Sequence, residues 1–597
     1  MVYAYVSEAY GETRESSNLS FRTDFPLYPF RGSQYSPTFF YKLFQRKGGA
    51  HQSTSISTFT IISEDWCVSR LLQYQIYREG GAARLLSIKS RPHLYFPSYM
   101  KSHKSFTIPF LLFFLSLLLR LSLISKGPFN GDCLGLAITS ETLLNGHQLN
   151  YLFGSGLPMT IILGAFFVWI TKLFSIHDPV FAVNLMSVFF SSLCVPANYF
   201  FTKKLLNKKT ALFSSMLLSV YPIFMAISVY GNSHAPSLFF LLAGLTALLT
   251  YQEAQKRHYL ILSAVCLGLM GATRLQDMAI MTIPLSYLFF IQNKKIGFTQ
   301  SSVSIAKSLA IFWSIVLLTV LIFYIPAFLK QSSFDFSQSF HYQIIESFRW
   351  FFSSLLSKSL RYITSSVTPL GCLLVIFGFL FLLKKEPLKF WFCVLWFVIP
   401  FFFFGNLTFK VPRFFAVASI PLIIAQGYML SIFLSQKTIA RFCSLFIFSL
   451  LIFLTFQNIY PIVKFRHHHE LLPDFYKWVA QETGPEAIII ERDNGLFIEY
   501  YGHQRVMNPP LNLYSYDPQQ LELFKQDIDQ ALAHGVPVYI TGSGLLGHSQ
   551  RVEFLDFMLN HYHIIPRGRN LIEDWHRGCL VNDIGFIRLL KLVKRLP

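Results

Sequence analysis

The chain has 597 residues, of which 53% are hydrophobic, 17% aromatic and only 14% charged. Such proportions exclude an ordinary soluble enzyme and point to a polytopic membrane protein. The formal charge of +20 does not indicate nucleic acid as a partner, because Lys and Arg fall in short clusters between apolar runs, as in cytoplasmic membrane loops. The eight cysteines lie mainly inside apolar runs (Cys194, Cys266, Cys372, Cys393 and Cys443) and show no C-x-x-C spacing. Neither a zinc site nor a disulfide framework is indicated, and they read as small core residues.

Residues 1–99 are Ser-rich, with scattered aromatics and no sustained helical or alternating period, so a poorly ordered extension is expected. At Met100 the segment "MKSHKSFTIPFLLFFLSLLLRLSL" opens with a basic stub and continues as an apolar run, the usual start of a membrane protein whose N-terminus stays in the cytoplasm. Met100 is therefore expected to be the true start, and the preceding segment an over-extended reading frame. Residues 100–465 then form a membrane domain and residues 466–597 a polar one.

Within the membrane domain, apolar runs of about 20 residues alternate with short polar links. Basic links stand at Lys203, Lys204, Lys208 and Lys209, at Lys256 and Arg257, at Lys294 and Lys295, at Lys384, Lys385 and Lys389, and at Lys437 with Arg441. If all face the cytoplasm, neighbouring links must be separated by an even number of spans. The runs 210–229 with 236–251, 259–273 with 276–292, 303–326 with 366–383, and 389–404 with 414–435 meet that condition. Only the first interval fails, since runs 105–125, 157–174 and 180–201 all precede Lys203. The segment "LPMTIILGAFFVWITKLF", at 157–174, has the least hydrophobic content of the three and follows the Gly- and Pro-interrupted "YLFGSGLP". It reads as a juxtamembrane or re-entrant helix that does not cross. The expected architecture is an α-helical polytopic membrane protein of about eleven transmembrane helices plus juxtamembrane helices, with a small C-terminal α/β domain. A twelfth span with one basic loop outside is the alternative.

This topology places the loops at 126–179, 230–235, about Arg274, 327–365 and 406–413 on the extracytoplasmic face, with everything after residue 461. The 327–365 loop mixes Phe, Trp and Tyr with isolated charges and reads as an interface-lying amphipathic segment. Beyond residue 466, "PDFYKWVAQETG" and "DPQQLELFKQDIDQALAHG" read as helices ending at glycine. "EAIIIER", "VPVYIT" and "IGFIRLLKLV" read as strands, and the alternation predicts an α/β domain.

Asp132 is the acid that stands out. In "FNGDCLGLAITSETLLNGH" the spacing of Leu134, Ala137, Ile138 and Leu144 predicts a helix lying on the bilayer, which would hold the carboxylate at the mouth of the span bundle. The stretch continues "YLFGSGLPMTIILGAFFVWI". Farther on come "LGLMGATRLQDMAIMTIPLSYLFF" and "KVPRFFAVASIPLIIAQGYML". In order and spacing, over about residues 105–435, these segments resemble the C-type glycosyltransferases, in particular the bacterial relatives of protein O-mannosyltransferases and of the lipid A aminoarabinose transferase.

That resemblance implies a hexosyl- or pentosyltransferase using a polyprenyl-phosphate sugar donor, with Asp132 as general base towards an acceptor hydroxyl of a lipid, glycan or protein. The lipid phosphate leaves as a stable anion and needs cations rather than an acid. Arg274 and Arg413 are the candidates, with Lys410 behind them. Interfacial snorkelling is their alternative reading. One departure stands out. Where relatives often carry a second acid before an x-Pro, this chain has "YGNSHAPSLFF", with Asn232 and His234 as candidate substrate contacts. A divalent metal held by two acids is therefore not supported, and no cofactor is indicated.

Gly542, Gly544 and Gly547 have dinucleotide-binding spacing, but read as a plain glycine loop. His467, His468 and His469 read as an interfacial tract, because three consecutive side chains on a helix point in different directions. A transporter or flippase of lipid-linked sugars is the competing class. Charge-free span centres such as "FFLLAGLTALL" favour chemistry at the interface instead. The expected location is a bacterial cytoplasmic membrane, with the site and the C-terminal domain extracytoplasmic.

Overall fold

The computed structural model describes residues 106–595 except 148, 150, 153–155, 296–301, 330–353, 408–410, 437, 492–494, 511–517, 547–550 and 568–588. The chain divides into two units, Met1–Lys101 and Ser102–Pro597. The expectations for residues 1–99 and for Met100 lie outside the described residues.

A backbone in lipid must satisfy its polar groups within its own segment, so the apolar runs become helices. In chain order they are α1 (Thr107–Leu121), α2 (Gly131–Leu144), α3 (Pro158–Leu173), α4 (Pro179–Leu205), α5 (Lys208–Val220), α6 (Pro222–Ser228), α7 (His234–Ala254), α8 (Arg257–Thr273), α9 (Leu275–Lys295), α10 (Ser302–Leu329), α11 (Ser354–Val367), α12 (Pro369–Lys385), α13 (Pro387–Gly405), α14 (Ala416–Leu434) and α15 (Thr438–His468). A 3-10 turn, Pro412–Phe415, leads into α14. Among the described residues, α4, α7, α10, α13, α14 with that turn, and α15 are long and apolar enough to cross a membrane. The chain is a multi-pass membrane protein. The apolar window of α4 is 78% buried and that of α10 only 22%, so α4 lies inside the bundle and α10 towards lipid.

Two helix pairs are long and apolar enough when taken together, each as a broken span or a re-entrant loop, and are bent at their junctions, α5 with α6 by 58° and the end of α11 with α12 by 96°. Each break has a local cause. Tyr221 (φ −61°, ψ 128°) leaves the helical region just before Pro222, as residues preceding proline do. Thr368 has φ 66° and precedes Pro369, while its hydroxyl caps the new helix by accepting from Gly371 N at 3.2 Å. The end of α11 therefore runs almost at right angles to α12. The rest of the interface-lying reading, residues 330–353, falls outside the described residues.

The bent pair α5–α6 is capped by arginines from other helices. Arg120, fully buried on α1, donates to Ser219 O at 3.2 Å in the last turn of α5 and faces the Phe224 ring at 5.2 Å. Arg466, near the end of α15, donates to Ala226 O at 3.0 Å in α6. Each guanidinium thus meets the carbonyl end of one half-helix, where the helix dipole favours a cation.

After α15 come α16 (Leu471–Thr483), β1 (Ile488–Ile490), α17 (Gly495–Phe497), β2 (Arg505–Met507), α18 (Pro518–Ala533), β3 (Val538–Thr541), α19 (Gly542–Leu546), α20 (Arg551–His561), β4 (Tyr562–Arg567) and β5 (Leu589–Lys594). The sheet order is β2-β1-β3-β5-β4, with β1 parallel to β2 and β3, and β5 antiparallel to β3 and β4. The expected boundary at 465/466 falls inside α15. Phe475, Tyr476 and Phe497 share one hydrophobic cluster with α2 and the membrane helices. The short strands β2 and β4 are absent from the sequence reading.

Candidate active site

Asp132 lies in the first turn of α2, and the turn is set by its cap. Asn130 is extended (φ −151°, ψ 174°), and its side chain accepts from Cys133 N at 3.0 Å. The Asp132 carboxylate, 46% exposed, therefore sits at the positive end of a helix. The expected helix forms, and it is packed on more than one face, because Cys133, Leu134, Gly135, Leu136 and Ala137 are all buried in sequence. A side chain at Gly164 of α3 would collide with Ser140, so α2 is pressed against its neighbour over more than one face.

Asn184 of α4, fully buried, ties this region together. Its amide donates to Ser125 O at 3.0 Å and to Gly127 O at 3.4 Å, and accepts from Gly231 N at 2.7 Å and from the Cys133 thiol at 3.4 Å. Burial pushes that thiol up to about 12. Cys133 therefore stays protonated beside Asp132 and is not a nucleophile.

Arg413, in the 3-10 turn before α14, donates from Nη2 to Asp132 Oδ2 at 2.6 Å across 281 residues of sequence. The next residue, Phe414, has the guanidinium carbons of both Arg413 and Arg274 at 5.9 Å from its ring centre, within cation–π range. The His234 ring lies 6.0 Å from the same ring. Arg274, Arg413 and His234 are thus gathered around one aromatic side chain, and Asp132 joins them through Arg413.

Arg274 joins α8 to α9 with an extended backbone (φ −152°, ψ 97°). Its Nε donates to Asp277 Oδ2 at 3.1 Å, Nη1 to Ser233 Oγ at 3.0 Å and Nη2 to Gln276 Oε1 at 3.4 Å. Ser237 also donates to that Asp277 oxygen, at 2.8 Å. Asp277, buried and only three residues from Arg274, has no place in the sequence reading. Asn232 turns out to be a cap. Its Oδ1 accepts from His234 N at 2.9 Å and Ala235 N at 3.3 Å, and its Nδ2 donates to Ile227 O and Tyr230 O, both at 2.6 Å. Lys410 lies outside the described residues.

Beside Arg413 the side chains leave a narrow cleft with room for about one water molecule. Phe129, Tyr230, Ile223 and Ile227 wall it, and Arg466 faces it together with Arg413. Among the described residues no three His, Cys, Asp or Glu side chains converge for a metal ion. Asp132 and Asp277 are each engaged by their own arginine. In the His tract, His467 Nδ1 meets Ile124 O at 2.8 Å. At the glycine turn, a side chain on Gly544 would strike Ile490 O, and Gly544 N donates to Thr541 Oγ1 at 2.9 Å, a packing reason for that glycine. Gly547 lies outside the described residues.

A family model for dolichyl-phosphate-mannose-protein mannosyltransferase matches residues 160–328. Among solved structures, ArnT from Cupriavidus metallidurans in the apo state aligns with 81% of this chain and 97% of its own, at 13% identity and a TM-score of 0.54. The fold is that of the C-type glycosyltransferases. The same ArnT bound to undecaprenyl phosphate aligns over the same shares at 11% identity and a TM-score of 0.52. The archaeal oligosaccharyltransferase AglB from Archaeoglobus fulgidus, in complex with an inhibitory peptide and a dolichol-phosphate, covers 79% of this chain and 73% of its own at 12% identity and a TM-score of 0.51. No curated protein matches the chain in sequence. The family-model match contains Asn232, His234 and Arg274 but neither Asp132 nor Arg413. The central pair of this C-type glycosyltransferase fold is therefore supplied from either side of the matched segment.

Proposed function

We propose that the chain is a membrane glycosyltransferase that moves a hexosyl or pentosyl group from a polyprenyl-phosphate donor to an acceptor hydroxyl at the extracytoplasmic face of a bacterial cytoplasmic membrane. The observation that carries this reading is the pair of Arg413 and Asp132 at 2.6 Å, with the carboxylate half-exposed. A base must meet the acceptor, a cation must meet the leaving phosphate, and here one hydrogen bond joins the two.

In the step itself, Asp132 takes the proton of the acceptor hydroxyl as its oxygen forms a bond to the anomeric carbon. The bond from that carbon to the phosphate oxygen breaks, and the electron pair leaves on the phosphate. Arg413 has five N–H donors, enough to hold the carboxylate and the departing phosphate together. Arg274, already neutralised by Asp277, serves to position Phe414 and the start of α9. His234, packed against Phe414, is placed to meet the sugar.

The same reading counts eleven spans, namely the six long helices, the two broken spans, and α1, α8 and α9, with α3 not crossing. The sheet-bearing residues then stand outside the membrane as an α/β domain. Cysteines placed at Ser155 and Ser175 should both react with an impermeant thiol reagent from outside; reaction at the first alone would make α3 a twelfth span.

Purified protein incubated with radiolabelled polyprenyl-phosphate sugar tests the activity. Label moving to an acceptor with release of polyprenyl phosphate supports the transferase. Movement of the intact donor across the bilayer without turnover replaces it by a flippase.

A further inference from the structure

We infer that Asn184 is a positioning residue: one buried amide on α4 sets the spacing between the base Asp132 on α2 and the turn that carries His234. The role rests on the proposed transfer reaction, and Asn184 acts in it through its neighbours rather than by meeting a substrate. It stands in the second turn of α4, inside the apolar run "VFAVNLMSVFF", and is fully buried. Leucine would suit that run, so apolar packing does not account for an amide. Inside a span an amide is costly unless its polar groups are satisfied, and a satisfied one specifies a single arrangement.

A primary amide offers two N–H donors and two oxygen lone pairs. Asn184 uses them all, on three separate segments. Nδ2 donates to Ser125 O at 3.0 Å and to Gly127 O at 3.4 Å, in the stretch that leads into α2. Oδ1 accepts from the Cys133 thiol at 3.4 Å, beside Asp132, and from Gly231 N at 2.7 Å, between α6 and α7. Glycine is what permits that approach, since a Cβ at 231 would stand 2.5 Å from Val183 Cγ2 and 3.1 Å from Cys133 Sγ. Three residues on, Ser187 continues the same face of α4, and its Oγ accepts from Asn232 N at 3.1 Å. Asn232 in turn holds His234 N. Asp132 and His234 are thus referred to one helix, through the start of α2 on one side and the Gly231–Asn232 turn on the other.

Asn198, on the same helix and also buried, supplies the contrast. Its Nδ2 donates to Ser214 Oγ and Ser215 Oγ, both at 3.2 Å, and so joins α4 to α5 about 21 Å along the axis from Asn184. Replacing either amide by leucine removes buried hydrogen bonds and should lower Tm. Only Asn184→Leu should also disturb the site.

Full-length Asn184→Leu and Asn198→Leu, purified and normalised to folded protein, are compared with the parent in two ways. In the transfer assay Asn184→Leu is expected to lower kcat about 10- to 100-fold, because a base displaced by about 1 Å loses its alignment, while donor KM stays within about twofold. Asn198→Leu should keep both constants. Amide hydrogen exchange, read by mass spectrometry without donor or acceptor, should quicken in residues 125–134 and 229–235 of Asn184→Leu and in neither segment of Asn198→Leu. Asn184→Asp is the milder variant for use where leucine prevents folding. It keeps an oxygen for Gly231 N and loses the donated bonds, so kcat should again fall and exchange should quicken in 125–134 alone.

Unchanged kcat in the folded variants at 184, a rise in donor KM in place of the fall in kcat, or an equal fall of kcat in Asn198→Leu overturns the positioning role. Exchange unchanged at 125–134 in Asn184→Leu and Asn184→Asp overturns it too. Because exchange is read without turnover, a parent chain that transfers no sugar loses the transferase reading, and quickened exchange in both segments would still keep Asn184 as the joint between them.

Discussion

Arg274 and Asp277 stand three residues apart, with side chains 8% and 4% exposed, whereas Arg413 and Asp132 stand 281 residues apart with the carboxylate 46% exposed. Both arginines face the same ring of Phe414. Their chemistry is alike and their surroundings are not. The first pair is closed, with Ser233, Gln276 and Ser237 completing its hydrogen bonds. A buried pair of that kind holds a shape, since removing either member strands a charge. The second is open on the carboxylate side, so Asp132 is free to exchange partners when a substrate arrives. A sequence that shows only two arginines near span ends conceals this division of labour.

The comparison breaks most visibly at Asp132. Asp132→Asn should lower turnover by roughly 10²–10⁴ while the protein stays folded and inserted, because an amide of the same shape cannot take the proton. Single-turnover assays with a matched thermal melt check this, and near-normal turnover would remove Asp132 from the mechanism. Asp277→Ala should act through the other quantity. It leaves the Arg274 guanidinium buried without its carboxylate, a change that costs about 3–5 kcal/mol of stability, read as a lowered Tm and reduced yield in detergent. If Asp277→Ala is as stable as the parent, the closed pair is not closed.

Smaller effects sharpen the contrast. Arg413→Lys should weaken donor binding about tenfold, as a point charge replaces a planar fork that reaches carboxylate and phosphate together. Donor KM measured beside Tm distinguishes this from snorkelling, under which lysine would match arginine. Least of all, Cys133 should resist maleimide in the native protein at pH 8 and react on denaturation, because burial holds the thiol up to about 12. Rapid native labelling would mean that the Asn184 network around α2 opens in solution.

Much of the architecture is readable because apolar runs have a length and a period. The runs at 180–201, 236–251 and 414–435 fall on α4, α7 and α14, whereas the runs at 210–229 and 366–383, read as unbroken, are bent before Pro222 and Pro369. Asp132, Arg274 and Arg413 stand out in the sequence as charges at the ends of apolar runs that carry the family resemblance. Their partners do not. Asp277 looks like an ordinary solvated acid until α7 is known to cover it with Ser237. Asn184 sits inside an apolar run with no motif around it, and Arg466 hides at the head of a histidine tract. The helix of Asp132 has more packed faces than its spacing shows. Its alternating small and apolar residues suit a bilayer surface, but they suit equally a helix enclosed by α3 and α4. Periodicity reports that a face is apolar and not what covers it.

Arg120 carries a consequence for how the molecule is made. Its partner carbonyl on Ser219 lies 99 residues farther along the chain. On the proposed topology α1 enters the bilayer before that carbonyl is synthesised. An arginine whose other hydrogen-bond partners, among the described residues, lie only on Ser116 of its own helix opposes insertion by up to about 3 kcal/mol. The first helix therefore reaches its final depth only after α5 arrives beside it. Membrane integration of this chain is thus a joint event of several helices, and a nascent chain halted before Ser219 should hold α1 shallow, with Arg120 drawn towards the headgroups.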